Sequence, residues 1–148
     1  MNTNDPYDLD RFVQAQVGVY ETALAEIQNG YKRSHWMWFI FPQFAGLGHS
    51  PTSRHYAIGS RGEAQAYLAH PLLGARLCDC AEAAVAVSGR SARDIFGSPD
   101  DVKLRSCATL FAETSPENRV FQQVLDVYFA GEPYQRTLEL LAQASDDG

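Results

Sequence analysis

The residues best suited to chemistry are concentrated in one stretch, KRSHWMWFIFPQ at residues 32–43. It begins with two adjacent cations, Lys32 and Arg33, and His35 separates them from Trp36. Cations beside indole rings can hold a phosphate while an aromatic face stacks against a ring. The alternative is a piece of core that begins with charges, because aromatic clusters more often fill an interior than bind a ligand.

On the first interpretation, this stretch and the loop after it form a site for a small anion. The cations would take the negative charge, an indole would stack a ring, and an amide would make a polar contact. Solvated surface charge and complementation of a helix end are the alternatives for the cations. The predicted ligand-binding residues are Lys32, Arg33, Trp36, Trp38, Gln43 and Arg54.

A catalytic constellation is a further hypothesis, built on His35, Asp101 and Lys103. A neutral imidazole at His35 would act as a base or as a hydrogen-bond donor, although a core or capping histidine fits the sequence equally. Lys103 and Ser106 are expected on one face of their helix, away from its apolar stripe. If that face meets His35, an acid and a base could hydrolyse a glycosidic or phosphoester bond. Ordinary ion pairs along the helix are the alternative.

Charge is distributed unevenly along the chain. Residues 27–62 contain four cations and no Asp or Glu, whereas the remainder holds 8 cations and 18 anions. The surface outside this window therefore repels phosphate backbones, which argues against a nucleic-acid polymer as partner. A small anionic molecule suits the window better.

The scaffold that positions these residues is predicted to be mainly α. A single domain spans residues 1–148, with an ordered core at about 5–143, about six helices and an irregular aromatic-rich segment. The first helix is expected over 9–28 with Asp8 as its cap and a bend at Gly18. Capping-box patterns at SRGE and SARD, residues 60–63 and 91–94, start later helices.

Three further features set expectations about location and cofactors. Cys78, Cys80 and Cys107 lack the spacing of a metal site or a disulfide framework and are expected to be reduced, packed thiols. We therefore expect neither a metal nor a cofactor. With no signal-peptide pattern and no membrane-span-length apolar run, a cytoplasmic protein without a membrane partner is expected. The sequence does not indicate an oligomeric state.

Several segments together resemble a known family. They are DPYDLDRFVQAQ, KRSHWMWFIFPQFAGLGHSP, AYLAHPLLGARL, IFGSPDDVKLRSCATLF and GEPYQRTLELL, in that order over residues 5–141. The chain is identified from them as a member of the domain of unknown function 1810 family, which implies a mainly helical fold and no established activity. Some members are labelled calpastatin, but that inhibitor is disordered and repetitive, unlike this chain. The order of elements is also similar to the helical superfamily that processes ADP-ribose and related phosphorylated N-glycosides.

These observations lead to one functional hypothesis and one rival. The first is binding, with hydrolysis as an extension, of a small anionic, phosphorylated, nucleotide-like ligand of the ADP-ribose type. The rival is a non-catalytic interaction module whose basic window docks an acidic segment of a partner protein. The sequence does not decide whether the protein is an enzyme.

Overall fold

The computed structural model describes residues 5–144, and every regular element in that range is an α-helix. The mainly α class is therefore confirmed, but the predicted count of about six is too low, since ten helices form in these residues. The first predicted helix divides in two, and short helices form within the aromatic segment. The bounds are α1 Asp10–Gln16, α2 Tyr20–Gln28, α3 Met37–Ile40, α4 Pro51–His55, α5 Arg61–Ala69, α6 Leu73–Ala86, α7 Ala92–Phe96, α8 Asp100–Thr114, α9 Val120–Phe129 and α10 Gln135–Gln143.

Fraying was expected at the chain ends, and residues 1–4 and 145–148 lie outside the described range. Within residues 5–144, every helix is too short or too polar to traverse a bilayer.

Gly18 separates α1 from α2, where the sequence predicted one bent helix. Its φ of +72° is a left-handed conformation that glycine adopts without strain. No atom lies within 4 Å of the position that a Cβ would take there, so backbone conformation rather than crowding requires the glycine. The predicted cap is wrong: the carboxylate of Asp5, not Asp8, accepts hydrogen bonds from the two amides at the helix start, at 2.7 and 3.0 Å.

The core is built around α8, which packs against α5, α7, α9 and α10. Its predicted apolar stripe is confirmed as buried by the positions of Leu104, Cys107, Ala108 and Phe111. The placement of Ser106 on an outer face with Lys103 is wrong. Ser106 is buried, and its hydroxyl shares a 2.9 Å hydrogen bond with that of Thr137 on α10.

Arg11 fastens α1 to the loop that leads into α5. Its guanidinium donates to the carbonyls of His55 and Ala57 at 2.7 and 2.9 Å and pairs with Glu63 at 2.6 Å. Ser60 caps α5 as predicted, accepting from the Glu63 amide. The Glu63 carboxylate accepts hydrogen bonds from Arg11 and from the Gly59 amide. The second bond of the capping box, from the Ser60 amide to that carboxylate, is therefore not formed.

Glu26, near the end of α2, holds the start of the aromatic segment. Its carboxylate accepts four hydrogen bonds, from the amides of Arg33 and Ser34, the Ser34 hydroxyl and the indole N–H of Trp36, at 2.7–3.1 Å. Burial alone would raise the pKa of Glu26, but these four donors outweigh it and lower that pKa to about 2. The residue is therefore a fixed anion that organises the turn before α3.

The loop after α3 is held by an isolated parallel bridge between Phe44 and Ile58. The Ile58 amide donates to the carbonyl of Gln43 at 2.8 Å, and the Ala45 amide donates to the Ile58 carbonyl at 2.9 Å. These bonds fix the backbone of Gln43 without using its side chain.

The close approach of α5 and α6 leads to a first prediction, the destabilising effect of Gly74→Ala. A Cβ at this position would overlap the backbone carbonyl of Leu68, which cannot move without displacing α5. We expect the free energy of unfolding to fall by about 2 kcal/mol in urea titrations. In the control Gly59→Ala the new Cβ makes an ordinary 3.5 Å contact, so equal losses in both variants would contradict the prediction.

The four hydrogen bonds to Glu26 lead to a second prediction, for Glu26→Gln. An amide cannot accept all four, so the free energy of unfolding at pH 7 should fall by about 1–3 kcal/mol. The folded-state pKa of about 2 lies below the ordinary 4.5, so the stability that Glu26 contributes is present above about pH 5. It is lost as the pH falls towards 2, and the difference between wild type and variant should narrow over that range.

Urea unfolding at several pH values measures this difference. Glu21→Gln, on an exposed position of the same helix, makes the same charge change and should cost less than about 0.5 kcal/mol. A difference between wild type and Glu26→Gln that stays constant down to pH 2 would show that the carboxylate is not held in this way.

Candidate functional site

Two lysines share one carboxylate beside the aromatic segment. Asp100, at the start of α8, pairs through one oxygen with Lys32 at 2.8 Å and through the other with Lys103 at 3.0 Å. The Lys32 ammonium also donates to the Ser34 carbonyl at 2.6 Å, and its side chain is only 7% exposed. Two cations against one anion leave this cluster with a net charge of +1.

The carboxylate of this cluster is fully ionised at neutral pH. Burial would raise the pKa of Asp100, but hydrogen bonds and charge from Lys32 and Lys103 outweigh the burial and hold that pKa below its ordinary value. Asp100 is therefore a counter-ion that orients two ammonium groups and is a weak candidate for general acid or base.

The two tryptophans have different roles. Trp36 is 1% exposed, and its indole N–H is bound to Glu26, so it belongs to the core. Trp38 is half-buried, and the Lys103 ammonium lies 4.3 Å from the centre of its ring. Of the two indoles proposed to stack a ligand, only Trp38 offers accessible ring surface.

A cavity of about 180 Å³ lies beside these groups, and we call it the lysine cavity. Its polar lining combines the lysine cluster with an imidazole and a hydroxyl, and its apolar lining comes from the aromatic segment. The lining residues are Lys32, His35, Trp36, Met37, Trp38, Phe39, Thr52, Asp100 and Lys103.

A second cavity of about 180 Å³ lies on the other part of the loop, and we call it the glutamine cavity. Trp38 lines this cavity as well, and most of the other lining residues are glycine or have small side chains. The lining residues are Trp38, Gln43, Phe44, Ala45, Gly46, Gly48, Ser53, Arg54 and Ala57.

The residues predicted from sequence therefore divide among three places. The lysine cavity brings together His35 and Lys103 of the catalytic hypothesis, with Lys32 and the two tryptophans. Asp101 does not line it; its carboxylate accepts the neighbouring amide of Val102 at 2.9 Å. Gln43 and Arg54 line the glutamine cavity instead.

Arg33 lies apart from both cavities. It is exposed, and its guanidinium is 5.6 Å from the ring centre of Tyr31. Its predicted role in anion binding therefore has no support from this geometry.

Two polar residues of the lysine cavity, Thr52 and Asp100, were missed by sequence reasoning. The spacing of Asp100 and Lys103 along one helix was the available signal for Asp100, because it is typical of an ion pair. Thr52 gave no signal, because an exposed threonine after a proline is unremarkable in a loop.

Other surfaces offer weaker candidates. A shallow depression of about 460 Å³ between α8 and α9 is larger, but its lining holds one cation, Arg119, one acid, Asp126, and no aromatic residue. In residues 5–144 no group of three His, Cys, Asp or Glu could hold a metal ion. Burial raises the pKa of Cys80 to about 12 and that of Cys107 well above its ordinary value, so both are neutral packed thiols.

Comparison with known proteins places this geometry in a family. The chain is similar to the conserved hypothetical protein Rv1873 from Mycobacterium tuberculosis, whose crystal structure was determined at 1.38 Å. The two share 51% sequence identity with a TM-score of 0.93, over 95% of this chain and 100% of that one. No functionally curated protein matches. Residues 6–141 match the family described as protein of unknown function (DUF1810), and the chain therefore belongs to the DUF1810 family.

Proposed function

We propose that the protein binds a small anionic, phosphorylated compound of the nucleotide type in the lysine cavity. One observation carries this proposal. Two ammonium groups pair with the single carboxylate of Asp100 beside an accessible indole, so one positive charge is left without a counter-ion in the cluster. The residual positive charge is partly buried, where it attracts an anion more strongly than a solvated lysine does.

The two lysines differ in their capacity to bind. Lys32 is almost fully buried and already donates to Asp100 and Ser34, so its ammonium is largely committed to the fold. Lys103 is 20% exposed and donates only to Asp100 among residues 5–144, which leaves hydrogens for a ligand oxygen. Lys103 is therefore the principal anion-binding group of the proposal.

The distribution of charge over the whole chain favours the approach of a small anion over that of a polymer. The window of residues 27–62 carries four cations and no acid, whereas the rest of the chain has an excess of ten negative charges. A compact anion can be drawn to the window, while an extended polyanion would also meet the acidic surface. The small volume of the cavity also favours a head group over a docked helix or strand.

Hydrolysis is the less supported part of the proposal. Asp100 is bound to both lysines, and Asp101 does not line the cavity. His35 is the only imidazole in the lining and the remaining candidate for moving a proton. The geometry therefore supports the proposal of binding more than the proposal of turnover.

Thermal-shift measurements with inorganic phosphate, AMP, ADP, ribose 5-phosphate and ADP-ribose test the binding proposal. A compound at 100 times its dissociation constant should add about 2.7 kcal/mol to the free energy of unfolding. Lys103→Met should abolish this gain and still fold, because Asp100 keeps Lys32 as partner. Arg93→Gln removes one cation from an exposed position outside both cavities and should leave the gain unchanged.

Two results would redirect the interpretation. If no phosphorylated compound stabilises the wild type, the rival module that docks an acidic peptide becomes the better account. If a bound compound is also cleaved, His35→Gln should abolish turnover with little effect on affinity. Cleavage that persists in His35→Gln would exclude the imidazole as the proton-transfer group.

A further inference from the structure

We infer that the glutamine cavity is a second subsite, which receives the uncharged ring portion of a nucleoside phosphate whose phosphate lies in the lysine cavity. The inference rests on the proposed function and extends it, because it assigns a role to Gln43 and a two-part shape to the ligand. It depends on three observations: an unpartnered amide, a shared wall and an uncommitted guanidinium.

The amide of Gln43 is the first observation. The residue is 5% exposed, and its Nε2 is the only buried side-chain nitrogen or oxygen in residues 5–144 without a hydrogen-bond partner. A buried donor without an acceptor destabilises a fold, and an apolar side chain of the same length would remove that cost. The backbone bridge to Ile58 already fixes this residue, so the amide is not needed to hold the loop.

The position of the two cavities is the second observation. Trp38 is common to both linings, so each cavity borders the same indole, with the lysine cluster in one lining and Gln43 in the other. Each cavity alone is about 180 Å³, below the roughly 300 Å³ at which ligand pockets usually begin. A ligand that occupied both would have about 360 Å³ available, which suits a nucleoside monophosphate better than a free phosphate.

The lining of the glutamine cavity is the third observation. Its side-chain hydroxyl is already used, since Ser53 donates to the Ser50 carbonyl at 2.9 Å. The Arg54 guanidinium is exposed and makes no hydrogen bond or ion pair with any residue from 5 to 144. Arg54 offers donors, the Gln43 amide can donate and accept, and the remaining lining is apolar or glycine. Such a lining suits an uncharged ring that carries hydrogen-bond acceptors, with Trp38 available for stacking.

Gly48 lies where a side chain would collide with the Trp38 ring and with Ser53. A Cβ there would come within 3.0 Å of the Trp38 ring and 2.5 Å of the Ser53 side chain. The glycine thus lets the loop of the glutamine cavity lie close to the edge of the Trp38 indole.

Isothermal titration calorimetry with inorganic phosphate and with AMP tests the inference on wild type, Gln43→Met and Lys103→Met. AMP should bind wild type at least about tenfold more tightly than phosphate, because it alone reaches Gln43. Gln43→Met should remove that advantage and leave phosphate affinity unchanged. Its melting temperature should be equal to or above that of wild type, a result that a structural role for the amide would not give. Lys103→Met should weaken both ligands.

A matched control and an independent measurement keep the outcomes distinct. Gln135→Met, at an exposed position outside both cavities, should change neither affinity. In wild type, the side-chain amide resonance of Gln43 in ¹H–¹⁵N spectra should move with AMP and not with phosphate. This second measurement decides the question if Gln43→Met does not fold.

Each contrary result points to a different failure. Equal binding of AMP and phosphate, or an unmoved Gln43 resonance in the presence of bound AMP, would overturn the second subsite and leave the lysine cavity as proposed. Absence of binding by both compounds would overturn this inference, and absence of binding by every compound of the thermal-shift panel would overturn the proposed function with it.

Discussion

The carboxylate of Glu26 is the interaction on which the site depends. The four donors that it gathers come from residues 33–36, and they convert the end of α2 and the start of the aromatic segment into one rigid corner. This corner commits Trp36 to the core, and the Lys32 amide adds a 2.7 Å bond to the carbonyl of Ile95. With the chain held on both sides of Arg33, the Lys32 side chain is directed to Asp100. Trp38, two residues after Trp36, is half-buried and keeps part of its ring accessible.

Glu26 and Asp100 are both ionised carboxylates with several donors, but they leave opposite net charges around them. Glu26 is satisfied entirely by neutral donors and brings a full negative charge to the base of the segment. Asp100 is satisfied by two cations and leaves a surplus of positive charge. The protein therefore combines a structural anion at Glu26 with a residual positive charge on the cluster formed by Lys32, Asp100 and Lys103.

Sequence patterns were sufficient for the helical class and for the starts of α5 and α7, and they singled out Lys32, His35 and Lys103, which line the lysine cavity. Their success has a local cause, since capping residues such as Ser60 and Ser91 and the apolar stripe of α8 act over one or two turns. Predictions that needed distant partners were less reliable. The sequence places Asp100 and Lys32 68 positions apart, so nothing in the pattern could show that they meet. Likewise, the division between Trp36 as core and Trp38 as cavity wall depends on where Glu26 lies in space.

The clamp made by Arg11 has a consequence for how the protein acquires its final shape. One guanidinium joins α1 to carbonyls 44 and 46 residues later and to a carboxylate 52 residues later. The cavity-bearing loop is enclosed by this long-range closure, whose entropic cost grows with the length of chain it spans. Helices such as α6 and α9 can form from nearby contacts, whereas the loop acquires its geometry only when distant parts of the chain dock together. Assembly of the binding surface is thus expected to be a late event in folding, and nascent chains that end before Lys103 would lack the lysine cavity.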